Sequence, residues 1–224
     1  MARIYDGDTL QLNDGRKVRL AGINTPEVAK EGQEGEPLAD RAQALVARLV
    51  EASGQRVGLR YEQERHDHYG RLLAHLYLAD GSSIEEHLLA EGLAQQLVVP
   101  PNDWQSACYR RIEGQARHQH LGIWDVDYYQ PLDTLSESSG DMGFRLVAGT
   151  VQRVAESRKS VWLNLDSGVA LRIARGDLSR FDSMDLRQLT GQRVVARGWL
   201  RHDGHQFLMT LRDPSALVLE REWQ

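Results

Sequence analysis

The chain has 224 residues, 41% hydrophobic and 26% charged, with a formal net charge of −5 and one cysteine; that suffices for one large or two small packed domains and excludes an internal disulfide framework. No window approaches the roughly 18–20 uncharged apolar residues of a membrane helix, so no integral membrane segment is expected. An acidic total argues against phosphate-binding surfaces, but it is uneven: residues 1–140 hold 14 Lys+Arg against 22 Asp+Glu, residues 141–224 hold 13 against 10, which hints at two units.

Segments 3–12 and 17–23 alternate apolar and polar residues around Asn13-Asp14-Gly15, the composition of a tight antiparallel hairpin. Val18 and Leu20 share one face of the second strand, which puts Lys17 and Arg19 on the other. Leu38, Ala42, Leu45, Val46 and Leu49 then recur at helical spacing until Ser53-Gly54. Strands are expected near 56–63 and 71–79, where Leu72, Ala74, Leu76 and Leu78 alternate and Arg71 opens the opposite face. Helices follow near 83–94 and 103–118, the latter with Trp104, Cys108, Ile112 and Ala116 on one stripe, and Leu121-Gly122-Ile123-Trp124 closes the unit.

Residues 130–143 are rich in Pro, Asp, Ser and Gly and read as a linker between a first domain, 1–129, and a second, 144–224. The second holds five strand-like runs with a short helical stretch around Leu178–Leu189 between the third and fourth. That order, with Gly149 where a tight barrel bends, suits a small closed barrel of the oligonucleotide/oligosaccharide-binding (OB) type.

Chemistry concentrates in the first domain. Asp6 and Asp8 offer the hard oxygen that Ca²⁺ or Mg²⁺ takes, and the glycine between them would let the backbone turn around an ion. A DGD triplet alone is common, and most outward strand arginines are merely solvated. The combination is more specific: DGDT, then Arg19-Leu-x-Gly-Ile-x-Thr-Pro-Glu27, then Asp67-His-Tyr-Gly-Arg71, with a helix between. Here the sequence resembles the staphylococcal nuclease (thermonuclease) family over about residues 3–124. The resemblance implies a β-rich α+β fold, a five-stranded OB-type barrel with three helices, acting as a Ca²⁺-dependent sugar-nonspecific endonuclease on DNA and RNA to leave 3′-phosphates. It also implies that Asp8 is the principal Ca²⁺ ligand with Asp6 in support, and Asn24 and Thr25 complete the set, the threonine through its carbonyl. Glu27 then matches the carboxylate that holds or deprotonates water, and Arg19 and Arg71 the pair that grips the scissile phosphate.

Two departures qualify the resemblance. Asn24 stands where the family's best-known member has an aspartate, so the site loses a negative charge and Ca²⁺ binding is expected to weaken about tenfold or more. Gln95 to Asn102 replace a stretch that elsewhere carries nucleotide-stacking tyrosines, which leaves Tyr69, with His68 beside it, to touch substrate. Single-stranded substrate is favoured, and Arg153, Arg158, Lys159, Arg172 and Arg175 with Trp162 of the second barrel are candidates to add grip; domain packing or self-association is the rival. The pairs His66/His68 and His118/His120 lack partners at zinc-like spacing and read as solvated. Glu31, Glu34 and Glu36 read as a solvated loop. A catalytically silent nucleic-acid-binding protein or an interaction scaffold is the alternative function; an extracytoplasmic setting, secreted or periplasmic, is implied by analogy, with cytoplasmic as the alternative.

Overall fold

Where the two first strands meet, the amide of Leu12 donates to the Arg16 carbonyl at 2.9 Å and that of Gly15 to Leu12 at 3.0 Å, so Asn13-Asp14-Gly15 is a closed turn. The computed structural model describes residues 3–32, 34–135, 142–204 and 206–223. The turn joins β2 (Thr9–Gln11) to β3 (Lys17–Leu20) with Thr9 opposite Arg19. Val18 and Leu20 are buried while Lys17 is exposed and Arg19, on the same face as Lys17, is only partly covered, as the alternation requires. β1 (Arg3–Ile4) pairs with β2, β6 (Leu72–Tyr77) runs parallel to β3, and β5 (Gly58–His66) pairs with β6. The order is therefore β1-β2-β3-β6-β5, and β4 (Ile23–Asn24) with β7 (Gln95–Gln96) makes a separate two-stranded ladder.

Three helices cover this sheet. α1 (Ala39–Ala52) buries Ala39, Ala42, Leu45, Val46 and Val50, one stripe at helical spacing, in a core shared with Leu10, Val18, Leu20, Ala74 and Leu76. α2 (Ile84–Ala90) is capped by Ser83, whose hydroxyl oxygen accepts from the Glu86 amide at 3.0 Å. It is shorter than the span 83–94 expected from the sequence, since Gln95 and Gln96 are drawn into a strand with β4. α3 (Ser106–His118) buries Tyr109, Glu113 and Ala116. The expected stripe is thus rotated: Cys108 and Ile112 are half-buried, and Trp104, 39% exposed, lies outside the helix under the Arg60 guanidinium at 3.4 Å. Polar partners inside cause the rotation, because Glu113 accepts the Gln96 amide at 2.6 Å and the Tyr109 hydroxyl meets His75 Nδ1 at 2.8 Å.

The chain divides into two compact units, Met1–Tyr128 and Tyr129–Gln224. In the second, β8 (Gly143–Glu156), β9 (Ser160–Leu165), β10 (Val169–Ala174), β11 (Arg193–His202) and β12 (Phe207–Leu211) form a closed barrel around Val147, Leu163, Leu171, Ile173 and Met209. β10 and β12 are parallel, and pairings of β11 with both β8 and β12 complete the closure. β13 (Leu217–Leu219) adds to β11 and leads into α4 (Glu220–Trp223). The helical stretch expected between the third and fourth strands is two 3₁₀ turns, Leu178–Phe181 and Leu186–Leu189. β8 changes register between Val151 and Arg153, two residues beyond the expected bend at Gly149. Of the linker segment, residues 136–141 lie outside the described residues. Leu132 is not linker-like: its amide donates to Leu146 and its carbonyl accepts from Ala148. Among the described residues no helix is long and apolar enough to cross a membrane.

Candidate active site

The turn between β1 and β2 is held by its own side chains. Asp6 Oδ1 accepts the Asp8 amide at 2.9 Å, an Asx turn. Gly7 serves a different purpose from bending around an ion: a Cβ there would lie 2.8 Å from Ala42 Cβ and 2.9 Å from Thr25 Cβ, so the glycine lets the turn press against α1 and the Thr25 segment. That approach brings Asp8 Oδ2 within 2.8 Å of the Thr25 amide, which donates to it.

Asp8 is 2% exposed and is the hub. Its Oδ2 lies 3.0 Å from Arg19 Nη2, and its Oδ1 accepts from the Thr9 hydroxyl at 3.1 Å. Thr9 in turn accepts from Arg71 Nη1 at 3.4 Å. Arg19 and Arg71, 52 residues apart in the sequence, therefore reach opposite oxygens of one aspartate, Arg71 through Thr9. The β-ladder explains it: Thr9 faces Arg19 across β2–β3, and β6, which begins one residue after Arg71, lies on the other side of β3.

Arg19 is nearly enclosed, its side chain 12% exposed. Its Nη1 donates to the carbonyls of Leu20 and Ile23 at 2.8 and 3.0 Å, and its Nη2 to Asn24 Oδ1 at 3.1 Å. Arg71 is more open. Asp67 Oδ2 holds its Nε at 2.6 Å, and Asp67 Oδ1 accepts the amides of Tyr69 and Arg71, both at 2.9 Å. Burial works to raise the Asp67 pKa, yet the hydrogen bonds from Arg71 and the Tyr69 amide hold it below the usual carboxylate range. Tyr69 is 74% exposed with its ring 5.4 Å from the Arg71 guanidinium, and the His68 ring lies against it, tilted by 42° with centroids 3.7 Å apart.

Glu27 is placed otherwise. Its side chain is exposed and ion-paired with Lys30 at 2.6 Å, which holds the Lys30 ammonium above its ordinary pKa. It acts on the carboxylates nearby at longer range. Asp6 is pushed up to about 7, first by burial, then by the charge of Asp8, with Glu27 adding to it. Glu36 is the second revision: it is half-buried, and its Oε2 accepts the Glu27 amide at 3.0 Å while its Oε1 accepts from the Tyr128 hydroxyl at 3.1 Å.

The donor set suits a hard cation. Asp6 and Asp8 are buried together, with Arg19 the one cationic side chain against them among the described residues; Asn24 Oδ1 sits beside, the Thr25 carbonyl accepts a 3.5 Å contact from Asn24 Nδ2, and Thr25 Oγ1 is buried with no partner among the described residues. Among the described residues, no group of three or more His, Cys, Asp and Glu is arranged for a metal, so amide and carbonyl oxygens would have to complete such a set.

The staphylococcal nuclease homologue family matches residues 17–126. The thermonuclease of Staphylococcus intermedius is 35% identical over 126 residues, 55% of this chain and 73% of that protein. The chain belongs to the staphylococcal nuclease family. Within it, endonuclease YncB of Bacillus subtilis (strain 168) is 36% identical over 132 residues, 57% of this chain and 61% of that protein. An uncharacterized endonuclease of Escherichia coli O157:H7 is 31% identical over 138 residues, covering 58% and 80%. The family match falls within the first unit. Thr9, Asp67, Lys30 and Glu36 carry no expectation as site residues. The first two lie inside the DGDT and Asp67-His-Tyr-Gly-Arg71 motifs, where a hydroxyl beside an aspartate and a carboxylate four residues before an arginine are legible signals; the others depend on how a loop closes.

Proposed function

We propose that the chain is a Ca²⁺-dependent, sugar-nonspecific nuclease that hydrolyses phosphodiesters of DNA and RNA, single strands by preference, to 3′-phosphate products. The observation that supports this most directly is the chain of contacts from Arg71 through Thr9 and Asp8 to Arg19, which gathers two guanidiniums beside paired acids. A phosphodiester repels hydroxide, and its transition state concentrates negative charge on the equatorial oxygens, so cations fixed in advance are the main source of rate. Arg71 keeps its second terminal nitrogen for a phosphate oxygen, with Tyr69 against the neighbouring sugar. Arg19 supplies fixed positive charge and its Nε–H. Glu27 orients the attacking water and takes its proton; the new P–O bond forms as the bond to the 5′-oxygen breaks, and that oxygen is protonated from solvent. Asp8 with Asp6, Asn24 Oδ1 and the Thr25 carbonyl would hold Ca²⁺, which neutralises phosphate charge and lowers the pKa of bound water.

Single-stranded DNA incubated with Ca²⁺ should be fragmented, and chelator should stop it. Arg71→Ala should cost on the order of 10²–10³-fold in kcat with the fold intact. Equal rates for parent and variant would sink the assignment.

A further inference from the structure

We propose that Glu36 is a positioning residue for Glu27, clasping the neck of the 27–36 loop to the end of the first unit; the role rests on the nuclease reading above. Among the described residues, none in the floor of the site holds the Glu27 side chain, whose one ion pair there, with Lys30, lies within its own loop and is half-exposed to water. Its backbone, by contrast, is fixed from both sides. The Glu27 amide donates to Glu36 Oε2 at 3.0 Å, and the Glu36 amide donates to the Glu27 carbonyl at 2.8 Å, so one residue closes the loop in both directions. The other carboxylate oxygen, Oε1, accepts from the Tyr128 hydroxyl at 3.1 Å, which ties the closed neck to a residue 92 positions away.

One step further into the loop, the arms touch. A Cβ on Gly35 would stand 2.8 Å from the Ala29 amide nitrogen, so this pairing tolerates only glycine there. An acid at 36 thus performs what neither of the other loop acids, Glu31 and Glu34, is placed to do: it joins the carboxylate-bearing arm to an aromatic anchor outside the loop. A water-activating carboxylate is sensitive to displacement on the ångström scale, which makes the clasp a determinant of turnover rather than of substrate affinity.

Glu36→Leu keeps much of the bulk of the side chain but removes both acceptors, and Tyr128→Phe removes only the hydroxyl. In the 224-residue chain, on single-stranded DNA with Ca²⁺, Glu36→Leu is expected to lower kcat by ~10–100-fold with KM unchanged, and Tyr128→Phe by less. In a Glu27→Gln background the same Glu36→Leu change should cost nothing more, whereas a merely structural role would cost the same in both. Without Ca²⁺ or DNA, amide hydrogen exchange at Glu27 should accelerate in Glu36→Leu while exchange in α1 and β3 stays as in the parent. Parental kcat in Glu36→Leu, an undiminished cost in the Glu27→Gln background, or unchanged exchange at Glu27 would each overturn the proposal alone. Parental kcat in Glu27→Gln itself would overturn it together with the catalytic role given to Glu27.

Discussion

Arg19 and Arg71 differ in what they have left to give. Arg19 donates through both terminal nitrogens, to the Leu20 and Ile23 carbonyls and to Asn24 and Asp8, so among the described residues only its Nε–H is uncommitted. It is a fold residue as much as a phosphate ligand. Arg19→Ala would strand a 2% exposed Asp8, a loss of about 3–5 kcal/mol by the measure of broken buried pairs, whereas Arg71→Ala, at a 27% exposed side chain, should cost about 1 kcal/mol or less. Urea midpoints check this, and similar shifts for the two variants would contradict the geometry. Asn24 sets the cation's grip in the same way. Its Oδ1 already faces Arg19, so Asn24→Asp adds a charge without moving an atom and should tighten Ca²⁺ binding about tenfold, read by calorimetric titration. Gly7 shows where residue types alone mislead. The glycine in DGD suggests a turn around an ion, yet what it permits is contact with Ala42 and Thr25, residues distant in sequence whose approach no local pattern encodes.

Behind the sheet, β5, β6, α2 and α3 are joined by a polar cluster that plays no part in the proposed chemistry. His75, fully buried on β6, meets Glu62 on β5 through Nε2 at 2.9 Å and Tyr109 on α3 through Nδ1 at 2.8 Å, while Glu85 on α2 accepts the Leu76 amide with both oxygens. Burial pushes Glu85 up to about 8 and Tyr109 above its ordinary value, and burial holds His75 below its own in spite of Glu62. The signs follow from linkage. Between about pH 4.5, where Glu85 ionises in the unfolded chain, and about 8, the folded chain keeps a proton that the unfolded chain has released, so this group's contribution falls as pH rises through that window. His75 acts oppositely, since below about 6.5 the unfolded chain takes up a proton that the folded chain refuses. Glu85→Gln should match the parent near pH 5 and exceed it in stability near pH 8, as denaturant melts at the two values would show; a gap independent of pH would mean that Glu85 is ionised in the fold. Strands, helices and the outward face of Arg19 were legible because period-2 and helical spacing state which side chains meet the core. The cluster was not, because alternation puts His75 on the face opposite Leu72, Ala74 and Leu76, where no local pattern announces burial, and nothing local announces that Glu85 beside Ile84 is buried; partners on other elements make both acceptable there. The same competition rotated α3 away from Trp104.

Both units share a strand order. Counted along the main sheet of the first unit, which leaves out β4 and β7, and along the five barrel strands of the second, the strands run 1-2-3-5-4 with the third and fifth parallel, through β3 and β6 in the first unit and β10 and β12 in the second. The electrostatics nevertheless differ, and they decide which unit holds a polyanion. In the second barrel Arg175 and Arg187 share Glu156 at 2.9 and 2.8 Å, Arg172 Nε is tied to Ser160 at 2.9 Å, and Trp162 is half-buried, so much of the expected basic-aromatic surface is already engaged. Arg153, Arg158 and Lys159 are exposed and form no ion pair among the described residues. Single-strand binding weakens with salt by a log–log slope of about −0.7 per neutralised phosphate. Arg71 is paired to Asp67 through Nε but keeps a terminal nitrogen open, while Arg19 has both terminal nitrogens committed and pairs with Asp8; a 40-nucleotide strand should therefore show a slope of no more than about −0.7 to −1.4, and Arg71→Ala should flatten it by up to about 0.7. Were Arg153, Arg158 and Lys159 to carry the strand as well, the slope would steepen to about −3 and return on their joint replacement by alanine. A chain of net charge −5 gains nothing from long-range steering of DNA, so a shallow slope would place its grip in the few short contacts around Asp8 rather than in a basic surface.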